Sequence, residues 1–268
     1  MGCFEGTVSW DNSQTGPRPG IMIAPTFRGQ SDFETQKAER LAELGYVGFA
    51  IDIYGQGKRA TTPEEASALM AVLNDDRTLL LKHMQLATKT IRQLPEVDEN
   101  KVAAIGFCFG GKCVLDLARS GANIRAVISF HGIYDPPPFA SEKTIRAAVL
   151  VLHGWEDPLA PREQTVALAD ELTRRGADWQ IHMFGHTGHA FTNPQAQAKA
   201  AGMFFNPLSA ERGWEMMQLF CDRSLLEKVS PKSVPSQSQV RIETWETREE
   251  IYYTPKTITS QDHDINDI

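Results

Sequence analysis

A cysteine lies between two glycines in Gly106-Phe107-Cys108-Phe109-Gly110, where the apolar run 101–107 gives way to a helical pattern. This is the spacing of a nucleophile elbow, glycine-x-nucleophile-x-glycine, in the strand-to-helix setting that such a turn requires. Glycines two residues either side let the chain turn sharply while the central side chain points out of the sheet. The helix that follows aims unpaired N–H groups and the positive end of its dipole at that side chain, a setting that favours a thiolate. Cys108 is therefore read as a nucleophile. A buried structural thiol and a zinc ligand are the alternatives, and Cys113, five residues on, is poorly spaced to share a metal.

A cysteine nucleophile needs a base, and the base needs an orienting acid. Both follow in the expected order, acid and then histidine. Asp157 sits in "HGWEDPLAP" and His189 in "GHTGHAFTNP", each directly after a predicted strand. Glu156 and His186 are their rivals, while His131 and His153, which end predicted strands in "FHG" and "LHG", read as architectural. The arrangement predicts that His189 takes the thiol proton and Asp157 holds its ring.

The elements that must position these residues alternate between short apolar runs and amphipathic stretches, which predicts a mostly parallel central sheet flanked by helices on both faces, an α/β fold. Strands are predicted at 20–24, 46–54, 101–107, 124–131, 147–154 and 178–184. Helices are predicted at 34–44, from Pro63, from Asp75 to about Leu94, and at 111–121, 161–175 and 209–229. Cys108, Asp157 and His189 then all lie beyond the carboxyl ends of parallel strands, where open α/β sheets place ligands. Residues 1–229 read as one domain. Residues 230–268 read as a Pro/Ser-rich linker and an acidic tail, partly disordered, with a strand or two in "RIETWETREEIYY".

Composition narrows the partners. The chain has 268 residues with a formal net charge of −7, 41% hydrophobic and 23% charged residues. That balance speaks against nucleic acid or an anionic membrane as partner. Four scattered cysteines make no disulfide framework, and neither a signal peptide nor a membrane-spanning run is evident. The expectation is a cytoplasmic protein, monomer or homodimer, without a cofactor or metal, acting on a small molecule.

At these residues the sequence resembles the dienelactone hydrolase family. The resemblance is carried by "APTFRG", "DIYGQG", "GFCFGG", "SFHG", "HGWEDPLAP" and "GHAFTNP", in order over roughly residues 4–228. It implies an α/β-hydrolase fold, the triad Cys108, Asp157 and His189, and an oxyanion hole made by the backbone N–H groups of Phe27 and Phe109. It also implies a carboxylic ester or lactone substrate, hydrolysed through an acyl-enzyme thioester. Two positions depart from the family pattern. Thr26 stands where the family carries an acidic residue that contacts the resting nucleophile, so a more direct Cys108–His189 pair is expected. Asn193 stands where the family carries a carboxylate-binding arginine, which leaves Arg28 and Arg59, with Trp155 for apolar contact, as candidate substrate-binding residues. A thioesterase or peptide-bond hydrolase on the same triad, or a hydrolase-fold interaction protein, are the other readings.

Overall fold

The computed structural model describes residues 3–138 and 143–226, together with the backbone of 243–247 and 253–257. The chain divides into two compact units, Met1–Lys228 and Val229–Ile268.

The first unit is built on a seven-stranded sheet: β1 (Thr7–Ser9), β2 (Arg18–Ala24), β3 (Val47–Ala50), β4 (Val97–Phe107), β5 (Ala126–Phe130), β6 (Ala148–Gly154) and β7 (Trp179–Phe184). Their order across the sheet is β1-β3-β2-β4-β5-β6-β7. Every pairing is parallel except that of β1, which runs antiparallel along β3 as an edge. The short β1 was not expected from sequence. Its three half-buried residues carry too little apolar pattern to announce a strand.

Among the described residues six α-helices cover both faces: α1 (Asp32–Glu43), α2 (Pro63–Asp75), α3 (Arg77–Arg92), α4 (Phe109–Arg119), α5 (Arg162–Arg174) and α6 (Pro207–Leu225). Strand residues alternate between two cores, as the period of two demands. Ile21, Ile23, Ile105 and Ile128 pack against α1 and α6, alongside Leu41, Trp214 and Met217. Met22, Ala104, Val127 and Val149 face Leu80 and Met84 of α3, Val114 of α4 and Leu168 of α5. Burial on both faces is why the central strands read as continuous apolar runs.

Helix starts follow their capping chemistry. Ser31 and Glu34 form a reciprocal box at α1, Thr62 and Glu65 another at α2 with Pro63 in its first turn, and Asn206 caps α6. The predicted strand at 46–54 is shorter than expected. Residues beyond Ala50 leave the ladder because the buried Asp52 carboxylate accepts the amides of Glu5, Gly55 and Gly57 and so fixes a loop.

The connections from β2 and β4 leave in opposite directions along the sheet, β2 towards β3 and β4 towards β5. The crevice beyond these two adjacent strand ends is a topological switch point, the place where doubly wound sheets bind ligands. The loop 25–31 and the Cys108 turn face it.

In the second unit, β10 (Glu243–Thr247) and β11 (Tyr253–Thr257) pair antiparallel, with Trp245 opposite Pro255. The linker and the expected disordered end lie outside the described residues.

Candidate active site

Cys108 caps α4 with φ 56° and ψ −116°, a strained conformation for a residue with a Cβ. Its amide is held from two sides, donating to the Phe130 carbonyl at 3.1 Å and to His131 Nδ1 at 3.2 Å. The flanking glycines are required by space. A Cβ on Gly106 would stand 2.0 Å from the Gly110 carbonyl oxygen, and one on Gly110 would stand 2.1 Å from that of Ala24. Both obstacles are backbone and cannot swing aside. Gly110→Ala should therefore destabilise the protein by about 3 kcal/mol or more, read as a lower urea midpoint at unchanged m-value.

Cys108 is partly exposed, whereas Cys113 points into the core, where burial pushes its thiol up. Among the described residues no group of three or more His, Cys, Asp or Glu side chains could hold a metal ion.

His189 lies beyond β7, nearly buried, with Nδ1 2.8 Å from Asp157 Oδ2. Asp157 is fixed in turn, since its Oδ1 accepts the amides of Leu159 at 2.8 Å and Ala160 at 3.3 Å. The two rivals, His186 and Glu156, lie outside this buried pair. His186 is fully exposed and stands 3.6 Å from Glu156, itself half-exposed. The His189 loop is held by a segment that sequence reading passed over, the hairpin of β8 (Gln197–Ala198) and β9 (Met203–Phe204). The His189 amide donates to the Gly202 carbonyl at 2.7 Å, and the Phe204 amide donates to the His189 carbonyl at 3.0 Å.

His189 Nε2 is buried and makes no well-formed hydrogen bond among the described residues. Cys108 is nevertheless close enough to act on it electrically. Burial alone would lower the basicity of this imidazole, but its interactions with Cys108 and Asp157 outweigh it and push its pKa up to about 10. Unligated sites commonly hold such pairs slightly out of line, to be tightened by substrate.

His131, read from the sequence as architectural, is a buried histidine with both ring nitrogens partnered. It directly follows β5 at φ 37°, and its ring meets that of His189 edge-on at 5.0 Å between centroids. Burial and the neighbouring His189 hold it well below the ordinary histidine range, so it is neutral. A backbone N–H can only donate, so the bond from Cys108 makes Nδ1 the bare nitrogen. The proton is then on Nε2, which donates to Thr192 Oγ1 at 2.7 Å.

The early loop is clamped at three points. The Thr26 amide donates to buried Glu34 at 3.2 Å, the Thr26 carbonyl accepts from the Gly29 amide at 3.1 Å, and the Phe27 carbonyl accepts from the Tyr54 hydroxyl at 2.8 Å. The Tyr54 ring also stacks on Phe109 at 6.4 Å. Among the described residues neither the Phe27 nor the Phe109 amide has an acceptor. Two free N–H groups thus lie at the switch point, one on each of the adjacent strand-end turns. Glu34 and Tyr54 escaped the sequence reading because each acts through a contact that only folding creates.

The family model for the dienelactone hydrolase family matches residues 4–225. The chain belongs to the dienelactone hydrolase family. It is a hydrolase with the α/β-hydrolase fold. The solved structure of m3DLH superposes with a TM-score of 0.79 at 39% identity, covering 83% of this chain and 93% of that one. A dienelactone hydrolase-like promiscuous phosphotriesterase from metagenomic libraries gives 0.78 at 34% identity, covering 82% and 92%. A Yersinia pestis protein named for carboxymethylenebutenolidase activity is 25% identical over 248 residues, 87% of each chain.

Within this dienelactone hydrolase-family site the three candidate substrate-binding residues differ in freedom. Arg59 is engaged by its own fold, with contacts to Asp52 at 3.4 Å, the Glu5 carbonyl at 3.1 Å and the Gln30 side chain. Arg28 donates to the Thr61 carbonyl at 3.0 Å and lies 5.8 Å over the Phe27 ring. Trp155 is 40% exposed on the turn before Asp157, with the Arg162 guanidinium 4.1 Å over its ring. Arg162, absent from the sequence reading, therefore accompanies Trp155 at this turn.

Tyr54→Phe should lower kcat roughly tenfold with KM little changed. With the Phe27 N–H as the expected oxyanion donor, loss of the hydroxyl frees its peptide without removing that N–H, so the effect falls short of the ~10²–10³-fold lost with a whole donor. Steady-state kinetics with one ester, beside a melting curve, checks this.

Proposed function

We propose that this protein hydrolyses carboxylic esters or lactones through a Cys108–His189–Asp157 triad. The observation that carries the reading is the buried imidazole held by Asp157 at Nδ1, with Nε2 left over for the thiol at the α4 start. The Cys108 sulfur attacks the substrate carbonyl. The Phe27 and Phe109 N–H groups receive the oxygen as it becomes negative, and they need no reorganisation to do so.

Collapse of the tetrahedral intermediate expels the alcohol, protonated by the His189 imidazolium, and leaves an acyl thioester on Cys108. Acylation also removes the thiolate charge that kept His189 protonated. The ring, now neutral, can draw a proton from water, which attacks the thioester and releases the acid. Ester or lactone chemistry is favoured over amide hydrolysis by the family membership and by the carboxymethylenebutenolidase named among its relatives. A small-molecule substrate and a cytoplasmic setting complete the proposal. Among the described residues no helix is long and apolar enough to cross a membrane.

The test is Cys108→Ala assayed on a generic aryl ester, with circular dichroism to confirm folding. Turnover is expected to vanish, and retained turnover would overturn the assignment.

A further inference from the structure

A cavity of about 230 Å³ lies between α1 and α6 and is not lined by any of the three proposed triad residues. Its walls are aromatic, with Phe107, Phe130, Phe205 and Trp214 among them, and its polar groups come from Lys37, Arg40, Glu211 and Thr192. Arg40 and Glu211 are paired at 2.8 Å and offset each other. That leaves the Lys37 ammonium as the charge of the cavity without a direct ion-pair partner among the described residues.

Lys37 has no carboxylate, carbonyl or hydroxyl partner among the described residues. Its neighbours are the faces of Phe33 at 5.0 Å and Trp214 at 5.5 Å. Ring faces attract an ammonium but leave its three N–H donors without acceptors. Burial and the nearby Arg40 weaken its hold on the proton, against Glu211 and Glu34, which strengthen it.

Thr192 supplies a second unused donor. Its oxygen accepts from His131 Nε2, as the tautomer argument requires, so its own hydroxyl proton is left over, and no acceptor for it exists among the described residues. Thr192 is buried and lines this cavity. A half-exposed cation and a buried hydroxyl donor, neither with a protein acceptor among the described residues, thus share a small open cavity with aromatic walls.

We infer that this cavity is a binding site for a small apolar monocarboxylate, distinct from the catalytic centre. The carboxylate accepts from Lys37 Nζ and Thr192 Oγ1, and the hydrocarbon body lies among the rings. One carboxylate charge matches the cation that, among the described residues lining this cavity, has no ion-pair partner. The aromatic walls select an organic acid over a hydrated inorganic anion, and the volume, below the ~300–1,000 Å³ of ordinary ligand pockets, sets the size. This inference does not depend on the proposed triad.

Benzoate is the probe, titrated calorimetrically into full-length protein whose Cys108 has been carbamidomethylated to block the catalytic cleft. Saturable binding is expected to survive that block and to weaken at least tenfold in Lys37→Met and severalfold in Thr192→Val. Lys37→Arg should retain it, and neutral benzamide should bind at least tenfold more weakly. Unlabelled Lys37→Met should hydrolyse an aryl ester at the wild-type rate, which shows that it is folded. Three results would overturn the site: no benzoate binding to the labelled protein, unchanged binding by Lys37→Met, or phosphate binding as tightly as benzoate.

Discussion

Replacement of Cys108 by alanine is expected to lower kcat/KM for an ester by roughly 10⁴–10⁶-fold, the scale seen when a nucleophile is removed from a triad whose members act as a unit. Whatever residual rate remains comes from the oxyanion donors and substrate binding. Stability should barely move. The thiol is partly exposed, and both hydrogen bonds that hold this turn use the Cys108 amide, which alanine keeps. The backbone at φ 56° is as strained for alanine as for cysteine. A loss of activity accompanied by a large fall in melting temperature would point instead to a structural thiol. A folded variant with near wild-type turnover would leave the chain as a hydrolase whose nucleophile lies elsewhere. A thiol-directed probe adds an independent readout: with the exposed Cys3 replaced by serine, the protein should label at Cys108 in preference to the buried Cys113 and Cys221.

The parts of this site visible in the sequence are those written in local code. Gly106 and Gly110 announce the turn because no other residue fits against the Gly110 and Ala24 carbonyls. Asp157 and His189 announce themselves because each follows an apolar strand directly. The choice of His189 over His186 is weaker in the sequence, since only two residues separate them on one loop. Burial and the Asp157 bond distinguish them in the fold.

What stayed hidden depends on pairs distant in sequence. Tyr54 reaches Phe27 across 27 residues, His131 reaches the Cys108 amide across 23, and Thr192 reaches His131 across 61. No periodicity or spacing encodes such contacts. Arg59 shows the converse. A lone arginine beside a strand-end loop looks available for substrate, yet the buried Asp52 carboxylate and the Gln30 side chain engage it. The sheet was legible in its central strands, which are apolar on both faces, and illegible at β1, whose pairing with β3 leaves little trace in three residues.

Asp157→Asn should cost about 10²–10⁴-fold in kcat/KM, because an amide neither fixes the ring tautomer nor stabilises the imidazolium. The same variant carries a diagnostic pH signature. In the wild type the His189 proton is retained up to about pH 10, since Cys108 and Asp157 together outweigh burial. Expulsion of an alkoxide needs that proton. For an alkyl ester, kcat/KM should therefore hold through neutral pH and fall as pH rises through about 10. With the Asp157 charge gone, burial gains ground, the folded pKa drops, and the alkaline limb should move towards neutrality. An aryl ester, whose phenolate can leave unprotonated, should show a much weaker limb in both proteins. Profiles measured for both esters in both proteins separate this from general damage. Damage would lower all four curves without moving the alkyl-ester limb, and an unmoved limb would remove Asp157 from its role as the partner of His189.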